Sequence, residues 1–192
     1  MANKVHYGLS NVHYALITVG EGGAVTYGAF APIPGAVNLT ISPVGGENPF
    51  YADNIKYFIV YSNQGYEGTL EIAKVPQSFF ETIMQYKLDD NGVLVEANNA
   101  QPKSFALAFQ VEGDEKDTRF VFYNVSVGRS EISAATITDS VDVQTATLSI
   151  TAAPATDTGY VSGKTTPDTS AANYDAWFTT VQTPTFEEGG EG

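Results

Sequence analysis

Apolar and polar residues alternate with a period of two along most of the chain, the pattern of strands that bury one face and wet the other. Within residues 103–112, Phe105, Leu107, Phe109 and Val111 fall on one face, and Ala106, Ala108, Gln110 and Glu112 on the other. In the next run Val121, Tyr123, Val125 and Val127 alternate with Phe122, Asn124 and Ser126. The acidic stretch 113–117 between them has a turn's composition, so the two runs predict an antiparallel hairpin. Further strands are predicted at residues 7–19, 24–31, 36–43, 55–62, 68–73 and 141–152, with a short one at 93–96. Gly20-Glu21-Gly22-Gly23 reads as a turn, and Pro32-Ile33-Pro34-Gly35 as a break, because proline cannot donate to a ladder. The chain is expected to be mostly β.

One helix interrupts this pattern. Over residues 76–87, a proline suits the first turn, and Phe79, Phe80, Ile83 and Met84 repeat at helical spacing, predicting a helix packed across a sheet. Asp89-Asp90-Asn91-Gly92 is expected to end it. Beyond residue 152 the composition shifts to Thr, Ala, Ser, Asp, Gly and Pro, dividing the chain into a β domain over 1–153 and an extension over 154–192. Within that extension the aromatic patch 174–178 makes Tyr174, Trp177 and Phe178 candidates for docking on the domain or on a neighbour. The acidic end, residues 187–192, is expected to be disordered.

Composition narrows the function classes. Hydrophobic residues at 43% and aromatics at 12% of 192 residues supply one good core. Against 22 acids stand 9 bases, a net charge of -13 that disfavours both a nucleic-acid reader and an anionic membrane surface. With no cysteine there is no disulfide, thiolate zinc site or cysteine nucleophile. Residues 1–10 lack a basic start followed by an apolar run, and no stretch approaches the ~18 apolar residues of a membrane helix, so the expected place is a cytoplasm.

Candidate chemistry is sparse. The Gly20–Gly23 cluster lacks the Lys and Ser/Thr of a phosphate loop. His6 and His13 are seven positions apart, roughly 23 Å along an extended strand and on opposite faces, too far to share a metal. Asp89, Asp90 and Asn91 lack the spacing and distal Glu of a calcium loop. No catalytic, cofactor-binding or metal-binding residue is assigned, and no enzyme is expected. The segment 44–66 is more informative, since it carries Phe50, Tyr51, Asp53, Asn54, Tyr57 and Tyr61 in a long β arm with too much aromatic surface to leave bare. The alternative for this segment is an ordinary buried hairpin.

Several of these stretches, in register, resemble one family. Tyr7-Gly8-Leu9-Ser10-Asn11-Val12-His13-Tyr14-Ala15, the run from Pro32 to Leu39, Pro49-Phe50-Tyr51-Ala52-Asp53-Asn54 and Gly65-Tyr66-Glu67-Gly68 are similar to the major tail proteins of siphophages that infect Gram-positive bacteria. So are Tyr123-Asn124-Val125, Thr145-Ala146-Thr147-Leu148-Ser149-Ile150 and the closing Tyr174-Asp175-Ala176-Trp177-Phe178, which extends the resemblance over about residues 7–178.

The resemblance implies a tail tube fold, a β-sandwich with one flanking helix whose inner sheets close into a barrel within a hexameric ring. It also implies that the arm reaches the next ring, that the stacked rings form the conduit for phage DNA, and that acids line the lumen. Glu67, Glu71, Glu112 and Asp142 are the lumen candidates. Implied partners are further copies of the chain, a tape measure protein, and tail tip or baseplate and tail terminator proteins. The implied location is the virion tail, assembled in the host cytoplasm, with no cofactor. The rival expectation is a carbohydrate-binding or adhesive β-sandwich, supported by the β content and the supply of Tyr, Phe and Trp, and a weaker third is a hydrolase with paired carboxylates.

Overall fold

The computed structural model describes residues 3–130, 136 and 143–186, so the acidic end and Asp142 lie outside the described residues. The fold is mostly β, built on one large antiparallel sheet. Its strands are β1 (His6–Val19), β2 (Val25–Tyr27), β3 (Ala31–Pro32), β4 (Ala36–Val44), β7 (Gly65–Ile72), β10 (Phe105–Gly113), β11 (Thr118–Val127), β12 (Ala146–Ala153) and β13 (Ser162–Lys164). They run in the order β2-β1-β10-β11-β12-β7-β4, with β3 added to β1 and β13 to β11. Two small hairpins stand apart: β5 (Glu47–Ala52) with β6 (Ile55–Tyr61), and β8 (Lys87–Leu88) with β9 (Leu94–Val95).

The sheet curls around a main core that takes Val12 and Tyr14 from β1, Leu70 and Ile72 from β7, Phe105 and Leu107 from β10, and Leu148 and Ile150 from β12. β4 comes near β1, but no ladder joins them among the described residues. The helix α1 (Gln77–Thr82) closes one side. Its Phe79 is wholly buried and packs edge-on against Tyr14 at 5.0 Å and Phe105 at 5.5 Å.

Three sequence expectations change. The helix stops at Thr82 rather than Lys87, because the Ile83 carbonyl that would serve the next turn accepts the Lys103 N–H at 2.8 Å and Gln85 turns left-handed at φ 61°. Lys87 and Leu88 instead pair with Val95 and Leu94. The acidic turn therefore closes a hairpin rather than ending a helix. The Asp89 carboxylate accepts the N–H groups of Asn91 (2.9 Å) and Val93 (2.7 Å), which hold it below its ordinary pKa.

The second change is in β11. Leu107 pairs with Phe122 but Phe105 pairs with Val125, so β11 carries one extra residue in between. That bulge reverses the side-chain parity. Phe122, Val125 and Val127 face the main core, while Val121 and Tyr123 face away, so the four residues expected on one face are divided between two.

Third, β10 has no wet face over most of its length. Phe105 through Gln110 are all buried. The face of Ala108, expected to be polar, is covered by a second apolar cluster of Ala108, Val121, Tyr123, Ala155 and Trp177. The predicted strand 24–31 is divided into β2 and β3, and that at 141–152 begins at Ala146 within the described residues.

Because Phe79 joins the helix to two strands with no exposed surface, Phe79→Ala is expected to cost about 3–5 kcal/mol, read as a fall in the urea midpoint with an unchanged slope.

Candidate functional site

The most exposed apolar surface is built by extending an ordinary ladder beyond the core. β4 and β7 pair down to Val44 and Gly65, the Gln64 N–H then bonds the Val44 carbonyl at 2.9 Å, and Ser62 bonds Gly46 at 3.1 Å. β5 and β6 continue from there. At the junction the strands pass so closely that a Cβ on Gly45 would lie 2.0 Å from the Ser62 carbonyl oxygen, which reserves that position for glycine. At the tip Asp53 and Asn54 both adopt positive φ, 51° and 60°, the two-residue turn that matches strand twist. The six paired positions carry this ribbon roughly 20 Å along its axis.

Among the described residues the strands of the ribbon pair only with each other. Its side chains meet water on both faces: Tyr61 is 71% exposed, Tyr57 69%, and Phe50 and Phe58 61% each. The buried-hairpin alternative is thereby excluded. Phe50, Tyr51, Tyr57 and Tyr61 lie along the ribbon and Asp53 and Asn54 at its tip. Phe58 and Ile55, which sequence reasoning did not single out, are equally bare, and Val60 is about half exposed.

A second surface lies on the outer side of β4, β7 and β12. Registered rows run Asn38–Glu71–Thr147, Thr40–Thr69–Ser149 and Ser42–Glu67–Thr151, and β11 extends the last row with Ser126. Apart from half-buried Glu71, these side chains are exposed. The result is a grid of hydroxyls and an amide with two charges, both negative. The Thr145 hydroxyl donates to Glu71 at 2.6 Å and anchors that carboxylate. Of the four lumen candidates, Glu67 and Glu71 share this face. Glu112 does not, because it sits at the far end of β10 opposite Tyr7, with its carboxylate against Gly8. The alternation of Asn38, Thr40 and Ser42 and of Thr147, Ser149 and Thr151 is visible in the sequence, but their juxtaposition depends on β7, which pairs with β4 across 25 to 33 residues and with β12 across 76 to 84.

Among the docking candidates, Trp177 is only 7% exposed and donates its indole N–H to the Phe120 carbonyl at 3.3 Å. It follows the short helix α2 (Ala171–Asp175), whose N-terminus is capped by Ser170. The Arg119 guanidinium lies 3.7 Å from the Tyr174 ring centre and 4.9 Å from that of Phe178, and donates to the Tyr174 carbonyl. Buried Gln110 completes the latch by donating to Asp117 at 2.7 Å and accepting from Arg119 at 3.0 Å. All three aromatic residues thus rest on the chain's own sheet. No sequence signal marks Arg119 as their anchor, since the partners are 55 or more residues away.

His6 lies beside Asn3 and Thr118, and His13 stacks on Phe178 at 4.9 Å, so the structure does not bring the two together. Among the described residues no three His, Cys, Asp or Glu side chains are grouped as metal ligands would be. No helix of the described residues is long and apolar enough to cross a membrane. Comparisons with protein-family models and with curated proteins find no match.

The sole tryptophan reports on the latch. Arg119→Ala is expected to red-shift Trp177 emission and to lower stability by about 2 kcal/mol, measured by fluorescence-monitored urea unfolding.

Proposed function

We propose that this chain is a major tail tube subunit of a long-tailed bacteriophage, a structural protein whose hexameric rings stack into the hollow conduit for DNA. The observation that carries the reading is the ribbon, a two-stranded projection bare and aromatic on both sides. Each large apolar side chain withdrawn from water contributes about 1.5–3 kcal/mol. Four of them, Phe50, Ile55, Phe58 and Val60, give a gain of the same order as the roughly 4–15 kcal/mol that association costs. One ribbon contact is then marginal and a ring of them is firm, which suits an assembly that grows only when ordered.

The polar outer face of β4, β7 and β12 is the proposed lumen wall. Duplex DNA binds proteins mainly through cations that displace its counterions, and this face presents hydroxyls with Glu67 and Glu71. Its strands end at β4, which among the described residues pairs along one edge alone and offers the other to a neighbouring subunit, so that six sheets joined edge to edge would close a barrel and leave no open edge. The tape measure protein, the tail tip or baseplate and the tail terminator are the proposed partners at the interior and the two ends. A sugar stacked on Trp177, Tyr174 and Phe178 would have to displace Arg119 and the sheet, which already cover that patch.

Negative-stain microscopy of the concentrated protein, with and without a tail-tip seed, is expected to show hollow rings or tubes. Persistent monomers beside a competent seed would overturn the reading. Deleting residues 47–64 is expected to leave a β-rich circular dichroism spectrum and to abolish lengthwise growth in sedimentation; normal tubes would remove the ribbon from the assembly.

Lumen charge has its own test. Tubes of the Glu67→Lys, Glu71→Lys double variant are expected to retain duplex DNA in low-salt co-sedimentation, with release as salt rises, whereas wild-type tubes retain none.

A further inference from the structure

The two faces of the ribbon are chemically unlike. Strand alternation and the β5–β6 register place Asn48, Phe50, Ala52, Ile55, Phe58 and Val60 on one face, without a single charge. Glu47, Pro49, Tyr51, Lys56, Ile59 and Tyr61 share the other. There Glu47 receives the Lys56 ammonium at 3.3 Å and the Tyr61 hydroxyl at 3.2 Å, and Pro49 and Ile59 are partly shielded. On the charge-free face Phe50 and Phe58 face each other across the strands, each 61% exposed.

Both long edges of the ribbon are blunted. Pro49 offers no N–H to an added strand, and Tyr57 is the unpaired extra residue of a bulge in β6, between Phe58 opposite Phe50 and Lys56 opposite Tyr51. A partner therefore meets the ribbon through a face rather than by adding a strand. Two chains that each carry -13 repel one another at a distance, so they touch most favourably where charge is absent.

We infer that the charge-free face of the ribbon, centred on Phe50, Phe58 and Val60, is the surface buried against a second copy of this chain, while the Glu47–Lys56–Tyr61 face stays in water. The inference rests on the tube reading only in taking another copy as the occupant. It separates the six ribbon residues first singled out: Phe50 belongs to the contact, Tyr51 and Tyr61 to the wet face, Tyr57 to the bulge, and Asp53 and Asn54 to the tip.

The test compares Phe58→Ser with Val60→Ser in one chain, and Tyr51→Ser with Tyr61→Ser in another, against wild type. Circular dichroism checks the fold, and sedimentation velocity over a concentration series reads self-association, with microscopy of the products. The first variant is expected to raise the concentration needed for association at least tenfold, and the second to change it less than threefold. Equal losses, or a larger loss from the tyrosine variant, would overturn the assignment of the face. Wild-type chains that stay monomeric with a seed would overturn both this inference and the tube reading. Association into closed dimers, sensitive only to the first variant, would support the face and overturn the tube. Flotation of monomeric wild type, but not of the first variant, with phosphatidylcholine vesicles would show lipid as the occupant and overturn the inference.

Discussion

The structure depends on the burial of the β10–β11 hairpin from both sides. A sheet with one apolar face needs one layer of cover, but here Phe105, Leu107 and Phe109 fill the main core while Ala108 packs with Trp177 of the C-terminal segment and Gln110 is buried against Arg119. The bulge in β11 makes this possible by turning Val121 and Tyr123 outward without removing Val125 and Val127 from the core. Trp177 fills the outer cluster, and the stacking of Arg119 on Tyr174 and Phe178 holds the segment down. A strand of small residues on one side and large ones on the other suits such a sandwiching, because alanines let the covering segment come close.

That burial also organises what remains exposed. With the β10 side closed by the chain's own C-terminal segment, the outer face of β4, β7 and β12 is left wet, and it is furnished almost wholly with hydroxyls and carboxylates. The ribbon extends from the same β4–β7 pair. One ladder thus bears both proposed functions, a polar wall at one end and an apolar contact at the other, so their relative placement is set by the strands' hydrogen bonds. An exposed aromatic ribbon would be an aggregation hazard on a solitary monomer, and its glycine hinge, proline and bulge limit indiscriminate pairing while leaving the faces free.

Parts of this were legible along the chain. The 7–19, 36–43, 55–62 and 68–73 runs became strands close to their expected bounds because alternation and turn residues act locally. The arm was legible only as a whole, over 44–66; its tight junction at Gly45 and its turn at Asp53 and Asn54 came from the structure. The helix was overextended since the Lys103 N–H that takes the Ile83 carbonyl comes from 20 residues away. The lumen candidates were half assembled: Glu67 and Glu71 share a strand, whereas Glu112 belongs to a strand on the other side of the core.

By itself the sequence determined the β class, the position of the β10–β11 hairpin, the acidic balance and the presence of an apolar arm, all properties of residues near one another in the chain. Only the tertiary structure decided which of two alternating faces is wet, where a bulge reverses that choice, and that the ribbon stands clear of the core. Alternation says that neighbouring side chains point apart, but it does not say what covers either side. That depends on a distant segment such as 171–178, and on register between strands that meet only when the chain has folded.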